Sequence, residues 1–419
     1  MTLSQNPPKG TRDWEPNEFL IRSYIFDNWR KICKRYGYKE YLTPIVEYAE
    51  VYRAKSGEDI GGKELVTFLD RGGRELCIRP EMTPSLTRMV SKFYTSSQKP
   101  IRLFSIANFM RNERPQRGRN REFWQLNVDM FGADNKESDL EILEIAIELM
   151  LVFNPPKNSF KMHVNHRKII DFMLNKAGVL DSNRIEVSRI LDKWHKLTKH
   201  ELESRLTESG LDREEIDILF KFMTVSSIEE LLNRFPDLSE SDFFVRFKQV
   251  ISTMNSRGYG DFIEFKSDIV RGFDYYDGLI FEVFDNHPEN NRALFGGGRY
   301  NGLSSLFGVS EFPSIGFAPG DEPMKLFLES WNLLNNIENY FNNELYYVVA
   351  VDDDVTEFLY DISKKLRNSG KNVVVNFNKQ NNKKAFDYAY KNGFTHVVLI
   401  GERERISKSY KVCKLEKTD

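Results

Sequence analysis

Cysteine is scarce: the three in this 419-residue chain, Cys33, Cys77 and Cys413, are odd in number and far apart. That pattern argues against a disulfide framework or a zinc site and fits a reducing compartment. No apolar run approaches the roughly 18 residues that span a bilayer, and the N-terminus carries no signal-type apolar stretch, so a soluble cytoplasmic protein is expected. Excess charge of one sign is missing too. With 60 Lys+Arg against 62 Asp+Glu, nothing draws the whole molecule to nucleic acid, and any such binding must be local. A Gly-rich dinucleotide fingerprint is also lacking after the strand Leu345–Val351, where Asp352-Asp353-Asp354 stands instead.

What is present is concentrated in Leu103–Gly132, LFSIANFMRNERPQRGRNREFWQLNVDMFG. Its outer parts, Leu103–Met110 and Phe123–Phe131, are aromatic and apolar with partial alternation, which predicts two core-facing strands. Between them five arginines, Arg111, Arg114, Arg117, Arg119 and Arg121, are interrupted by Glu113, Pro115, Gln116 and Gly118. Guanidinium forks donate in planar pairs to phosphate oxygens, and paired strands fix the innermost forks while the outer ones stay mobile. A polyphosphate or a nucleic-acid backbone is the expected target; a solvated basic loop is the alternative that this stretch alone leaves open.

Upstream, Pro7-Pro8-Lys9-Gly10-Thr11-Arg12-Asp13-Trp14 is a turn-rich entry to a helix over Glu18–Tyr36. Tyr38–Val46 reads as an edge or interface strand because Pro44 interrupts it, and such an edge invites pairing with a second subunit. Leu65–Asp70 and Arg74–Arg79 flank Arg71-Gly72-Gly73 as a hairpin, and Pro80-Glu81-Met82-Thr83-Pro84 opens a helix over Ser85–Tyr94. A carboxylate and a hydroxyl at that junction suit an ammonium ligand, although such residues also cap helices, and capping is the better reading of the residues alone. Another amphipathic helix is expected over Ser138–Phe153.

Residues 160–261 change texture, with charged helical patterns, few glycines and no chemical cluster, and read as a helical insertion. Its basic positions Arg184, Lys193, Lys196 and Lys199 read as a solvated face rather than a nucleic-acid contact. Alternation returns at Ile269–Phe284, IVRGFDYYDGLIFEVF, with Asp277-Gly278 as a turn between strands. Gly296-Gly297-Gly298, ahead of Arg299 and Tyr300, allows backbone to approach a ligand closely. Beyond an Asn-rich linker over 332–344, strands alternate with helices from Leu345 to Ile400, which predicts a small parallel α/β domain over 345–419.

Taken together these stretches resemble the class II aminoacyl-tRNA synthetases, and specifically the histidyl-tRNA synthetase family, over essentially the whole length. Phe109–Gln125 resembles the second signature motif of the class, with Arg114-Pro115-Gln116 marking the histidyl branch. Arg271–Tyr276, RGFDYY, resembles the histidine-specific motif of that branch, and Lys9-Gly10-Thr11-Arg12-Asp13 its opening. Pro44 sits where the first motif gives a proline to the dimer interface. The resemblance implies an α+β catalytic domain on an antiparallel sheet (1–159 and 262–331), the insertion between them, and a C-terminal anticodon-binding domain. It implies a homodimeric ligase of L-histidine and tRNA-His that uses ATP accompanied by Mg2+, with no metal held by protein side chains.

The same resemblance assigns residues. Arg111 and Arg271 are the expected catalytic charges beside the α-phosphate. Glu81, Thr83 and Gln125 are expected to hold the substrate ammonium, Asp129 and Tyr276 the imidazole, with Tyr275 and both arginines completing the histidine site. Arg111, Glu113, Arg119 and Arg121 are expected on ATP, and Gln116 and Arg117 on tRNA. One departure stands out: the third motif normally ends in an arginine that clamps ATP, whereas Gly316-Phe317-Ala318-Pro319-Gly320-Asp321-Glu322-Pro323 ends in Pro323. Proline brings neither charge nor N–H donor, so compensation is expected from Arg119, Arg121 or Arg299. A synthetase-like regulatory subunit of ATP phosphoribosyltransferase, or an RNA-binding module on the same fold, is disfavoured by the intact RGFDYY, by most of a C-terminal domain and by the lack of extra domains.

Overall fold

The computed structural model describes residues 3–54, 59–270, 275–290, 293–335, 337, 344–376 and 378–415, which fall into two compact units, Met1–Asn335 and Asn336–Asp419. In the first unit the chain enters through α1 (Pro16–Arg35). Pro16 sits in the first turn, where a backbone N–H has no intrahelical partner, and Gly37, at φ 77°, turns the chain after the last residue. Strand β1 (Lys39–Glu40), strand β2 (Val46–Tyr48) and helix α2 (Ala49–Arg53) follow. β3 (Val66–Leu69) and β4 (Glu75–Ile78) form the expected hairpin, and β2 joins β4 to give an antiparallel sheet in the order β2-β4-β3.

After α3 (Thr83–Ser91), β5 (Ile101–Met110) and β6 (Glu122–Phe131) pair antiparallel in unbroken register from Ile101↔Phe131 to Met110↔Glu122. Helix α4 (Lys136–Leu151) starts where the Asn135 side chain accepts from the Ser138 N–H. The insertion expected to begin at residue 160 instead starts after a strand, β7 (Phe160–His166), which belongs to the large sheet. Phe160, Met162 and Val164 point alternately into the core, a period-two signal set among helix-like neighbours. Helices α5 (Arg167–Lys176), α6 (Arg184–Leu191), α7 (Lys199–Glu208), α8 (Arg213–Met223), α9 (Ile228–Arg234) and α10 (Asp242–Met254) follow β7 where the helical insertion was expected.

The chain returns through β8 (Ile263–Phe265), β9 (Leu279–Asp285), β10 (Ala293–Arg299), β11 (Ser314–Phe317) and α11 (Asp321–Ser330). The eight-stranded sheet runs β1-β5-β6-β11-β10-β9-β7-β8, antiparallel from β5 to β7 with one parallel strand at each edge. Asp277-Gly278 leads into β9; Tyr275 and Tyr276 just before it are not in a strand, and residues 271–274 lie outside the described residues.

The two faces of β6 divide the unit. Leu126, Val128 and Met130 enter the main core with α1, α4 and the insertion helices, while Phe131 belongs to a separate cluster with Met82 and Leu86 of the α3 region, Tyr300 and Phe312. The polar residues Gln125, Asn127 and Asp129 share the second face, since alternate residues of a strand point the same way.

The second unit comprises β12 (Leu345–Ala350), α12 (Thr356–Asn368), β13 (Asn372–Asn376), α13 (Asn382–Lys391), β14 (His396–Ile400), α14 (Glu402–Ser407) and β15 (Val412–Lys414). Its sheet, β13-β12-β14-β15, is parallel except for β15, a closing antiparallel strand that the Lys-rich sequence there did not suggest. α12 covers one face and α13 the other, each over its own apolar cluster. No helix among the described residues is long and apolar enough to cross a membrane.

Candidate functional site

Gln125, Asn127 and Asp129 form part of the floor of a cleft of about 1590 Å³, which also takes in the loop between β5 and β6, the start of α3, residues 268–276 where described, and the start of α11. Asp129 is 3% exposed. The Tyr300 hydroxyl donates to its Oδ1 at 2.5 Å, whereas Oδ2 is buried with no hydrogen-bond partner among the described residues. Burial pushes the Asp129 carboxyl up to about 7 despite the Tyr300 bond, with Glu81 adding to the rise. Gly316 stands opposite Asp129 in the sheet because a Cβ there would lie 2.1 Å from Oδ1. The glycine is what admits the carboxylate.

Glu81 reaches the same cleft from the segment before α3. The Tyr275 hydroxyl donates to its Oε2 at 3.0 Å, and its carbonyl accepts from Tyr52 at 3.2 Å. Arg111 Nε donates to the Pro80 carbonyl at 3.0 Å and its guanidinium lies 4.9 Å from the Phe123 ring, which holds this segment from the side of the arginine loop. The capping reading of Glu81 and Thr83 is not what the helix shows. Its cap position is Met82 with no side-chain cap bond, and Thr83 is the first helical residue, facing the cleft.

The arginine loop folds as a tight hairpin. Gln116 and Arg119 exchange backbone hydrogen bonds at 3.0 and 2.8 Å, Gly118 takes φ 74°, and it rests against Leu326 of α11. Arg119 lines the cleft and pairs with Glu113 at 3.2 Å; Arg117, at the tip, lies 3.8 Å from Glu289. Arg121 turns the other way. Its Nε donates to the Glu113 carbonyl and its stem packs on Gly10, so the structure does not bring it into the cleft lining.

The segment expected to end in an arginine is fixed from below. Asp321 opens α11 and accepts from Arg22 of α1 at 2.6 Å and from the Trp124 N–H at 3.0 Å, with both charged side chains buried. Arg22 also stacks on Trp14 at 3.3 Å. Pro323 fits as the third residue of α11, since N–H groups in the first turn have no intrahelical acceptor to lose. Of the three cations expected to compensate for it, Arg119 alone faces the cleft. Arg299 is buried and committed to Asp139 Oδ1 and Ser138 Oγ at 2.6 Å each.

Other expectations are redistributed. Gly297 and Gly298 serve strand contacts: a Cβ would meet the Gly316 carbonyl at 2.2 Å and the Leu279 carbonyl at 2.4 Å respectively, while Gly296 faces the cleft. Lys193 and Lys196, expected on a solvated face, line the cleft together with Arg189, and His195 Nε2 lies 2.6 Å from Asp268 Oδ2 at the same side. Tyr276 and Gln125 face the cleft, Gln125 donating to the Ala318 carbonyl at 3.2 Å. Arg271 lies outside the described residues. Tyr300 and Asn127 were not among the expected site residues; a polar residue two positions from Gln125 and Asp129 on one strand was the available signal for Asn127, and for Tyr300 only its place after the Gly296–Gly298 cluster.

The family model described as histidyl-tRNA synthetase matches residues 10–321. A histidine–tRNA ligase of Leptospira biflexa is 41% identical over 94% of this chain and 90% of that protein, and one of Pyrococcus furiosus is 33% identical over 94% and 91%. Among solved structures, histidyl-tRNA synthetase from Nostoc sp. superposes with a TM-score of 0.81 at 21% identity, covering 100% of this chain and 96% of that one. The fold, the matched span and these identities agree: the chain belongs to the histidyl-tRNA synthetase family.

Proposed function

We propose that this chain activates L-histidine with ATP and transfers it to the 3′ end of tRNA-His. The observation that carries the reading is Asp129, a buried carboxylate with one oxygen lacking a partner among the described residues, in a cleft that also presents Glu81, Thr83 and Arg111. A neutral imidazole brings one N–H and one lone pair. Asp129 accepts the N–H and Tyr276 bonds the other nitrogen, beside Tyr275. Glu81, Thr83 and Gln125 hold the α-ammonium, Glu113 reads the adenine amino group, and Arg119 meets the outer phosphates in place of the third-motif arginine. Mg2+ enters as part of the nucleotide substrate.

Chemistry then needs position and charge rather than a side-chain nucleophile. A histidine carboxylate oxygen attacks the α-phosphorus, the bond to the bridging oxygen breaks, and pyrophosphate leaves with the electron pair. Arg111 and Arg271 stabilise the charge of the five-coordinate transition state. The terminal ribose hydroxyl of the tRNA next attacks the acyl carbon and gives up its proton, the acyl–phosphate bond breaks, and AMP departs with the electron pair. Gln116 and Arg117 meet the acceptor end, and the C-terminal unit reads the anticodon. Exposed Leu42, Val46, Phe68 and Leu69, around β2 and β3, fit burial against a second copy in a cytoplasmic homodimer.

The test is ATP–pyrophosphate exchange by the purified chain with histidine, the other amino acids serving as controls. Exchange with histidine alone, lost in Arg271→Ala, supports the reading. Histidine binding without exchange would replace it with a sensor.

A further inference from the structure

Tyr300 follows β10 and is 2% exposed. Its N–H donates to the Ser314 carbonyl at 3.0 Å, and its ring meets Phe131 and Tyr275 edge-on at 6.3 and 6.0 Å, so the hydroxyl is aimed at Asp129 Oδ1 by packing on three sides. That bond occupies one carboxylate oxygen. The other, Oδ2, is buried and has no partner among the described residues, a costly arrangement unless a ligand supplies the donor.

The groups facing Asp129 are few. Glu81 approaches from the segment before α3 and Tyr41 from beyond β1; Tyr275 stands behind Tyr300, and Arg79 faces Tyr41. The neighbouring strands present Gly316 and Leu103 in register, neither of which titrates. Burial and Glu81 both favour the neutral carboxylic acid, and the Tyr300 hydroxyl is the group opposing them.

We infer that Tyr300 is a specificity-determining residue of the amino-acid site: it keeps Asp129 an acceptor and leaves a single oxygen, Oδ2, for one ring N–H of the substrate. The inference rests on reading the cleft as a histidine-activating site. Tyr300 touches no reacting atom and acts through Asp129. Without its hydroxyl, nothing opposes burial and Glu81, so Asp129 keeps its proton to higher pH than with the bond and offers an O–H where the ring N–H needs an acceptor.

The test is histidine-dependent ATP–pyrophosphate exchange from pH 6 to 9 with Tyr300→Phe and with 3-fluorotyrosine at position 300, which keeps the ring and strengthens the donor. In Tyr300→Phe, KM for histidine is expected to rise about tenfold at pH 7 with kcat within about twofold. The acidic limb of kcat/KM should move to higher pH, with KM recovering toward the unmodified enzyme as pH rises. The fluorotyrosine enzyme should move the limb the opposite way. Ionisation of free histidine is common to all three enzymes, so differences between them report the site. A damaged fold would not be repaired by raising the pH, nor would it shift the two variants in opposite directions. Limbs that coincide in all three enzymes, or a loss independent of pH, would overturn the inference. An unmodified enzyme that gives no histidine-dependent exchange would overturn the functional reading instead.

Discussion

At the closed end of the cleft Asp129 is 3% exposed, and Glu81 and Tyr300 are buried beside it; at the rim the side chains of Arg117 and Arg119 remain 63% and 54% exposed. A few fixed polar atoms in a dry setting discriminate strongly, because a ligand lacking the matching donor leaves a desolvated acceptor unpaired. Charges in water attract any polyanion and discriminate weakly, and salt screens them. The same hairpin supplies both ends: β6 carries Asp129 into the sheet, while the loop above it carries the arginines into solvent.

Asp129→Ala removes the buried acceptor altogether. It is expected to lower kcat/KM for histidine in the exchange assay by on the order of 10³ or more, the scale on which sites built around a substrate hydrogen bond reject its loss. A less severe change, Asp129→Asn, also tests the electrostatics of burial. Because burial raises the folded carboxyl to about 7, its contribution to stability is fully present below the unfolded value near 4 and is lost as pH rises to about 7. Equilibrium unfolding should therefore show Asp129→Asn gaining on the parent between pH 4 and 7, by roughly 4 kcal/mol at most. A gap that stays constant with pH would refute the burial account.

The foundation under the dry end is the next target. Arg22→Leu strands the buried Asp321 carboxylate, which loses the cation opposing its desolvation. The expected cost is about 3–5 kcal/mol of stability, read as a lower urea midpoint for the unit that carries the sheet. Removing both charges with Arg22→Leu and Asp321→Asn should recover much of it. If the double variant is no more stable than the single one, the pair is not what fixes the start of α11.

How much of this was legible beforehand follows from the range of the interactions. The β5–β6 hairpin, the β3–β4 hairpin and the alternating C-terminal unit are written in local periodicity, so their sequences announce them. β7 was missed because its seven residues stand between helical patterns, and β15 because a Lys-rich segment pairs only once β14 is in place. At the site the arginine loop stands out by composition, whereas the Glu81–Thr83 junction reads by its residues alone as a helix cap and is tied to the site only through the family resemblance. Tyr300 does not stand out: its role comes from an aspartate 171 positions away, and contacts at that separation leave no mark on either local pattern. Lys193 and Lys196 looked like a solvated face for the same reason, since a helix does not state which cleft its end will border.

At the rim, where side chains stand in water, a substitution acts weakly. Arg117 pairs with Glu289 only at 3.8 Å with both side chains mostly in water, so removing it costs little stability. On the proposed reading it meets the tRNA backbone, and each such phosphate contact on a single strand steepens the dependence of log affinity on log salt by about 0.7. Arg117→Ala should therefore leave pyrophosphate exchange unchanged, lower tRNA charging a few-fold at low salt, and flatten the salt dependence of tRNA affinity by about that amount. Equal loss of exchange and charging would mean that the rim acts on ATP, and the boundary between the two ends of the cleft would have to be drawn beyond Arg117.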